Sequence, residues 1–386
     1  MDEFGGSTTK RFEGTGFFRV EQAPDRWWLV DPSGGAFISI GLNHLDETNL
    51  KYDHNVDIWK SRYGASRERW IEEGVVPDMK RYGFNTVGWT QEYISGDWGV
   101  ALDWFGDIID LGHSIEKWNA TDYRAAGLPF VAFLRVGEFE DWKGQPAFPD
   151  VDSHDFEVYC DYLARSLCVD HADDPNLLGY FLVDIPSWLP HATGRHFPQL
   201  LGLEGDALDT KTYDVASKYY ETIVSAIRRY DSNHLILGDR YNGNKGIPAG
   251  TLRAMKPFVD VFSVQYFSGP THEDHLTMRD DLARWHEETG KPVINADIGN
   301  WIPTKLNPNR QMGLDTQADR ATDYIDAMST LLEEPWLIGW HWCAYVENTA
   351  RGWGIKDPWD EPYSEFIDPV GEFNRSVYAR LAGEVR

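Results

Sequence analysis

Apolar residues in this chain gather in short runs, and between the runs they recur every three or four positions among charged neighbours. The runs AFISIGLNH (36–44), GFNTVGW (83–89), LPFVAFLRV (128–136), LLGYFLVD (177–184), HLILGDR (234–240), VDVFSVQYF (259–267), KPVINADIG (291–299) and LIGWHWCAY (337–345) are rich in β-branched and aromatic residues, which predicts strands. Between them, SRERWIEEGVVPDMKRYG, DFEVYCDYLARSLCVDH, 211–230, 272–290 and ADRATDYIDAMSTLLEE carry helical periodicity, and a closing helix is expected near 369–382. Strands that alternate with helices favour a parallel sheet of the α/β class. Eight such units closing on themselves make a single (β/α)8 TIM barrel. The competitor is an open doubly wound sheet, which usually carries a glycine-rich phosphate loop after strand one. Strand one here ends instead in GLNHLDE.

Ahead of the barrel, GFFRVEQAPDRWWLVDPSGGAFISIG shows two alternating runs around a polar turn, a β-hairpin signature. The hairpin (14–35) is expected to lead into strand one and plug the bottom of the barrel, with residues 1–13 as a flexible N-terminus. No linker, low-complexity stretch or further repeat interrupts 14–386, so one barrel domain is expected.

Composition narrows the partners. The formal charge is −26, from 62 acidic and 36 basic residues, and such a field repels phosphate backbones and argues against nucleic acid. An aspartate-rich, lysine-poor surface fits either salt adaptation or an acidic enzyme kept soluble by its charge. No apolar run approaches the roughly 20 residues of a membrane span. MDEFGGSTTKRF lacks an apolar leader core, so a cytoplasmic location is expected, or secretion if a leader was removed. Cys160, Cys168 and Cys343 show no CxxC pair and read as buried thiols. The 17 tryptophans hint at flat faces that stack on sugar rings.

In such a barrel the chemistry lies at the C-terminal strand ends. Those ends supply Asn43, His44 and Asp46; Trp89, Gln91 and Glu92; Arg135, Glu138 and Glu140; Asp184 and Trp188; Asp239, Arg240 and Asn242; Gln265 and Tyr266; Asp297, Asn300 and Trp301; and His341, Trp342 and Glu347. A rim of carboxylates, amides, arginine and aromatics suits a neutral polyhydroxylated ligand. His44 and His341 lack the HxH or HExxH spacing of a metal site, so no metal and no cofactor is expected.

The opening FFRVEQAPDRWWLVDPSGGAFISIGLNH, the run VDVFSVQYF and the tail WLIGWHWCAYVENTARGWGIKDPWDEPYSEFIDPVGEFN together resemble β-agarase-like glycoside hydrolases of clan A, across nearly the whole chain. The resemblance implies that Tyr266 supports a nucleophile, that Trp342 floors a sugar subsite, and that Gly354, Asp357, Pro362 and Tyr363 form the following turn. It also exposes a departure. Clan members read roughly D-N-E at the end of strand four, where this chain has Val183, Asp184 and Ile185, so Asp184 falls on the Asn and Ile185 on the acid. On strand seven, PVINADIG places Asp297 at the nucleophile position.

A one-residue slip in a regular strand turns a side chain to the opposite face, so the direction of Asp184 is open unless Pro186 distorts the strand end. The resulting expectation is hydrolysis of an O-glycosidic bond in a poly- or oligosaccharide. Asp297 would be nucleophile or base, and Asp184 or Glu138 the acid. Asn43, His44, Arg240, Tyr266 and Trp342 would position the sugar, with Trp188, Trp301, His341 and Glu347 as further contacts. Retaining pairs stand about 5–5.5 Å apart and inverting pairs about 6.5–9.5 Å, which leaves the stereochemistry open. The alternatives are β-elimination from a uronic acid, with Arg240 neutralising the carboxylate, and a catalytically dead sugar-binding barrel.

Overall fold

The apolar runs pair in parallel, each with the next, until the last meets the first. In the computed structural model the strands are β1 Arg19–Gln22, β2 Trp27–Val30, β3 Ala36–Phe37, β4 Ser39–Leu42, β5 Thr86–Val87, β6 Phe130–Phe133, β7 Phe139–Glu140, β8 Pro146–Ala147, β9 Leu177–Asp184, β10 Leu235–Asn242, β11 Phe262–Gln265, β12 Val293–Ile298 and β13 Leu337–Trp342. The closed barrel runs β4, β5, β6, β9, β10, β11, β12, β13 and back to β4. The helices are α1 Val56–Tyr63, α2 Arg67–Trp70, α3 Val76–Arg81, α4 Ala120–Ala126, α5 His154–Cys168, α6 Gly205–Tyr230, α7 Ala249–Met255, α8 His272–Thr289, α9 Gln317–Leu332 and α10 Ser364–Leu381. The structure describes residues 1–92, 117–134, 136, 139–140, 146–147, 150–184, 188, 197–200, 202–348 and 352–385.

Strands of a parallel barrel are buried on both faces, which is why they read as nearly unbroken apolar runs. β9 is buried from Leu177 through Val183. Two apolar layers result. Val131, Leu178, Phe181, Leu237, Val261, Ile294 and Ile338 fill the bore, together with Leu29 and Phe37 from the N-terminal sheet and Phe18 just before it. The outer layer sits between the strands and the helices.

β1, β2 and β3 form an antiparallel sheet under the barrel. Arg26 seals it to the bottom of β13, donating to the carbonyls of Leu332 (3.3 Å), Glu334 (3.1 Å) and Leu337 (2.8 Å). Residues 1–13, expected as a flexible tail, are bound to this sheet instead. Ser7 N–H donates to Ala36 O at 2.7 Å, Phe12 N–H to Gly34 O at 2.7 Å, and Ala36 N–H to Lys10 O at 3.0 Å. Backbone pairing fixes a segment whose polar composition gave no apolar signal.

The strand ends carry the irregularities that aim the site. β9 and β10 shift register on either side of Gly238, whose φ of 79° lies in the left-handed region that glycine tolerates. Beyond the bulge Arg240 stands beside Asp184 and turns into the barrel, while Asp239 turns out toward α6.

Candidate active site at the barrel mouth

One guanidinium organises the mouth. Arg240 is 1% exposed; its Nη1 lies 3.2 Å from Asp184 Oδ1 and its Nη2 3.2 Å from Asp297 Oδ2. The same Nη2 donates to Ala296 O at 3.1 Å. Its plane sits over Trp89 (5.5 Å) and Phe133 (5.3 Å), so aromatic faces replace water around the charge. Gln265 Nε2 donates to Asp184 Oδ1 in a short contact. Asp184 therefore faces into the bore despite its displaced position in the sequence, because the bulged end of β10 meets it there. Gln265 Nε2 and Arg240 Nη1 can only donate, so that oxygen works as an acceptor toward them.

Asp297 is gripped from the other side. Asn43 Nδ2 donates to its Oδ1 at 2.6 Å and to Ala296 O at 2.9 Å. His44 stands close by, with Nδ1 2.8 Å from Gln91 O and 3.6 Å from Glu92 Oε1. A carbonyl only accepts, so Nδ1 carries the proton, and in the neutral ring Nε2 is then the acceptor. A nitrogen of His44, a carboxylate oxygen of Asp297 and Cys343 Sγ lie within 4.8 Å of one another. Those donor types could ligate a metal, but Asp297 already faces the Arg240 cation, and a second cation beside it would be repelled.

An aromatic wall rises next to Cys343. Trp353 packs on Cys343 and Ala344, with Trp301 edge-on at 4.9 Å and Phe267 stacked at 5.4 Å. Trp301 and Phe267 remain partly exposed. The buried Arg320 holds this wall by its backbone, donating to Trp353 O (3.0 Å), Gly354 O (3.2 Å) and Asn300 Oδ1 (2.9 Å). Burial lowers the Arg320 pKa to about 9.

No family model matches the chain. β-Agarase B of Vibrio sp. (strain JT0107) is 20% identical over 478 aligned positions, spanning 95% of this chain and 49% of its own length. β-Agarase A of the same organism is 25% identical over 470 positions, spanning 94% and 46%. A crystal structure of an agarase superposes with a TM-score of 0.73 at 19% identity, covering 100% of this chain and 66% of that one. The chain is similar to the β-agarases in sequence and shares the agarase barrel. It spans about half the length of the curated β-agarases it matches.

On this β-agarase-like scaffold the expected site residues divide. Asp184, Asp297, Asn43, His44 and Arg240 converge at the mouth, and Trp301 joins the wall beside it. Glu138 lies outside the described residues. Tyr266 was expected to support Asp297, but its hydroxyl donates to Asp281 at 2.8 Å; only its backbone N–H reaches toward Asp297, 3.2 Å from the carbonyl oxygen. Trp342 is no sugar floor, since it is 2% exposed and its ring packs on Tyr324 (5.1 Å) and Phe366 (5.3 Å) of the helix layer. Trp188 likewise stacks on Phe197 at 4.0 Å and meets Tyr219 edge-on at 5.2 Å.

His341 sits deeper in the bore, 2.9 Å from Ser39 Oγ and beside Phe181. Burial, with the Arg240 charge adding to it, pushes its pKa down to about 3. Glu347 is fully buried and accepts from Thr304 Oγ1, Asn307 Nδ2 (2.7 Å) and the Tyr363 hydroxyl. It braces the loops after β12 and β13 rather than meeting a ligand.

Gln265 was placed at the end of strand six without a role, and Trp353 and Phe267 were not selected from the sequence. Gln265 was legible as the last inward residue of VDVFSVQYF. The other two lie on loops, where periodicity carries no signal.

Proposed function

We propose that this chain hydrolyses O-glycosidic bonds in an agar-type galactan, with Asp297 as the carboxylate that attacks the anomeric carbon or activates water. The observation that carries the reading is the pair of inward carboxylates, Asp184 and Asp297, braced on the two terminal nitrogens of Arg240 at the mouth of the barrel. Catalytic sites hold such groups in fixed orientation before substrate arrives. Asn43 and Arg240 aim Asp297, His44 offers an acceptor to a sugar hydroxyl, and the Trp301–Trp353 wall offers an apolar face to a pyranose ring. The β-agarase relatives supply the agar substrate class, and their greater length makes the complete activity part of this proposal.

Asp184 Oδ1 accepts a hydrogen bond from Gln265 Nε2 and pairs with Arg240 Nη1, which suits it to bind a hydroxyl and complete the charge balance around Arg240. The proton for the leaving oxygen is then assigned to Glu138, which follows β6 in the sequence. Arg240 already serves two carboxylates and has no second role as the neutraliser of a uronate, so elimination is not favoured.

The test is a reducing-end and mass-spectrometric assay on agarose and on uronic-acid polysaccharides, at low and molar salt. Hydrated oligosaccharides released by wild type and abolished in Asp297→Asn are expected. Glu138→Gln should lose far more activity on the polysaccharide than on an aryl glycoside, whose leaving group needs no proton. Dehydrated products, or full activity in Asp297→Asn, would sink the proposal.

A further inference from the structure

On the outer face of the barrel, α8 and α9 bring two histidines and a carboxylate together. His272 and His275 are three residues apart and so share one face of α8. Both aim Nδ1 at Asp326 of α9, with His275 Nδ1 2.6 Å and His272 Nδ1 2.9 Å from Asp326 Oδ2. One donor atom from each of the three lies within 4.8 Å of the others. From this geometry we infer a zinc-type divalent metal site made by His272, His275 and Asp326, with water as the fourth ligand.

Zinc binds imidazole nitrogen at about 2.0–2.1 Å and carboxylate oxygen at about 2.0–2.2 Å, so tetrahedral ligands stand about 3.3 Å apart. The observed nitrogen-to-oxygen separations need to open by less than an ångström to admit the ion. Exposure is graded as such a site requires. The His275 side chain is 1% exposed and fixed, Asp326 is 40% exposed, and His272 is 63% exposed, which leaves one side open for water.

A second observation points the same way. Metal-bound histidine commonly donates its other ring nitrogen to a carboxylate, which fixes the tautomer and orients the ring. His275 Nε2 lies 2.9 Å from Asp323 Oδ1, and Asp323 Oδ2 in turn accepts from Asn300 Nδ2 at 2.7 Å. His275 is thereby held with Nδ1 turned to the ion position. Without metal the same contacts serve an imidazolium between two carboxylates, and the metal would replace the proton on Nδ1. The chain's charge of −26 favours the cation. None of the three proposed ligands is among the residues that converge at the mouth, so the inference stands apart from the proposed hydrolysis.

The test uses the full chain, stripped with chelator and dialysed against micromolar ZnCl2, with bound metal counted by elemental analysis and titrated calorimetrically. One zinc per chain is expected, with a rise in Tm, and a cobalt-loaded sample should show the intense visible bands of a tetrahedral site. His272→Gln changes an exposed side chain and leaves folding intact; it should weaken binding at least tenfold, and Asp326→Asn should do the same. Metal-free wild type after dialysis would overturn the inference. So would unchanged stoichiometry and affinity in His272→Gln, which would locate the metal elsewhere.

Discussion

Asn43 and Asp297 meet through a single oriented amide. The Asn43 carbonyl oxygen accepts from Trp89 N–H at 2.9 Å, so its NH2 group must face Asp297 Oδ1, 2.6 Å away. Gly88 sits against the same amide, and a Cβ there would fall 2.1 Å from Asn43 Oδ1. Asn43 is therefore a fixed donor that holds one carboxylate oxygen while the other faces Arg240. Asn43→Ala should lower kcat by roughly 100–1,000-fold, the scale of losing one preorganised donor. KM on agarose should move much less, as a kinetic comparison with wild type would show. Equal loss in a variant whose Tm has collapsed would instead mark a structural role.

Arg240 is held by charge and by shape at once. Replacing it with Met leaves two buried carboxylates without their cation, and losing one partner of a buried pair costs about 3–5 kcal/mol. Urea unfolding should show that loss. Arg240→Lys keeps the charge but not the planar fork that reaches both acids. It should recover most of the stability while activity stays low. Lysine restoring full turnover would show that the two-armed geometry is unimportant.

Much of the barrel was legible because its strands are buried on both faces and cannot be polar until they end. That is why LLGYFLVD announces both a strand and Asp184. What periodicity could not give was direction at the ends. Asp184 is out of register with the acid of the clan the chain resembles, yet it faces the bore because the bulge at Gly238 puts Arg240 opposite it. A bulge is a backbone event and leaves no apolar pattern. The tryptophans misled for a related reason. Trp342 and Trp188 are as apolar as any sugar platform, and only the packing of α9, α10 and α6 assigns them to the core. Glu347 and Tyr266 found partners on loops and helices distant in sequence, which one-dimensional spacing does not reveal.

The two kinds of tryptophan separate experimentally. Trp342→Ala removes a ring buried between the strands and the helices and should cost about 3–5 kcal/mol of stability. In the fraction that remains folded, KM should be unchanged. Trp301→Ala removes a partly exposed ring at the wall and should raise KM several-fold, with Tm nearly intact. Paired thermal melts and saturation curves check both. The reverse pattern would return Trp342 to the ligand.

Two buried groups give the folding free energy opposite dependences on pH. Burial raises the Asp239 pKa to about 7 from 3.8, although Tyr219 (2.9 Å) and Tyr220 (2.6 Å) donate to its oxygens and pull the other way. The native state then keeps a proton that the unfolded chain releases, so stability is full below pH 3.8 and falls as pH rises to about 7. His341 runs the other way: its native pKa is about 3 against 6.5, so its contribution is full above pH 6.5 and is lost as pH falls toward 3. Each slope is at most about 1.4 kcal/mol per pH unit. The two oppose each other between pH 3.8 and 6.5. Asp239→Asn should therefore unmask a stability that rises with pH across that window, and His341→Gln one that falls, both measured by urea unfolding at fixed ionic strength. Curves for the two variants parallel to wild type would show that neither group changes its proton affinity on folding.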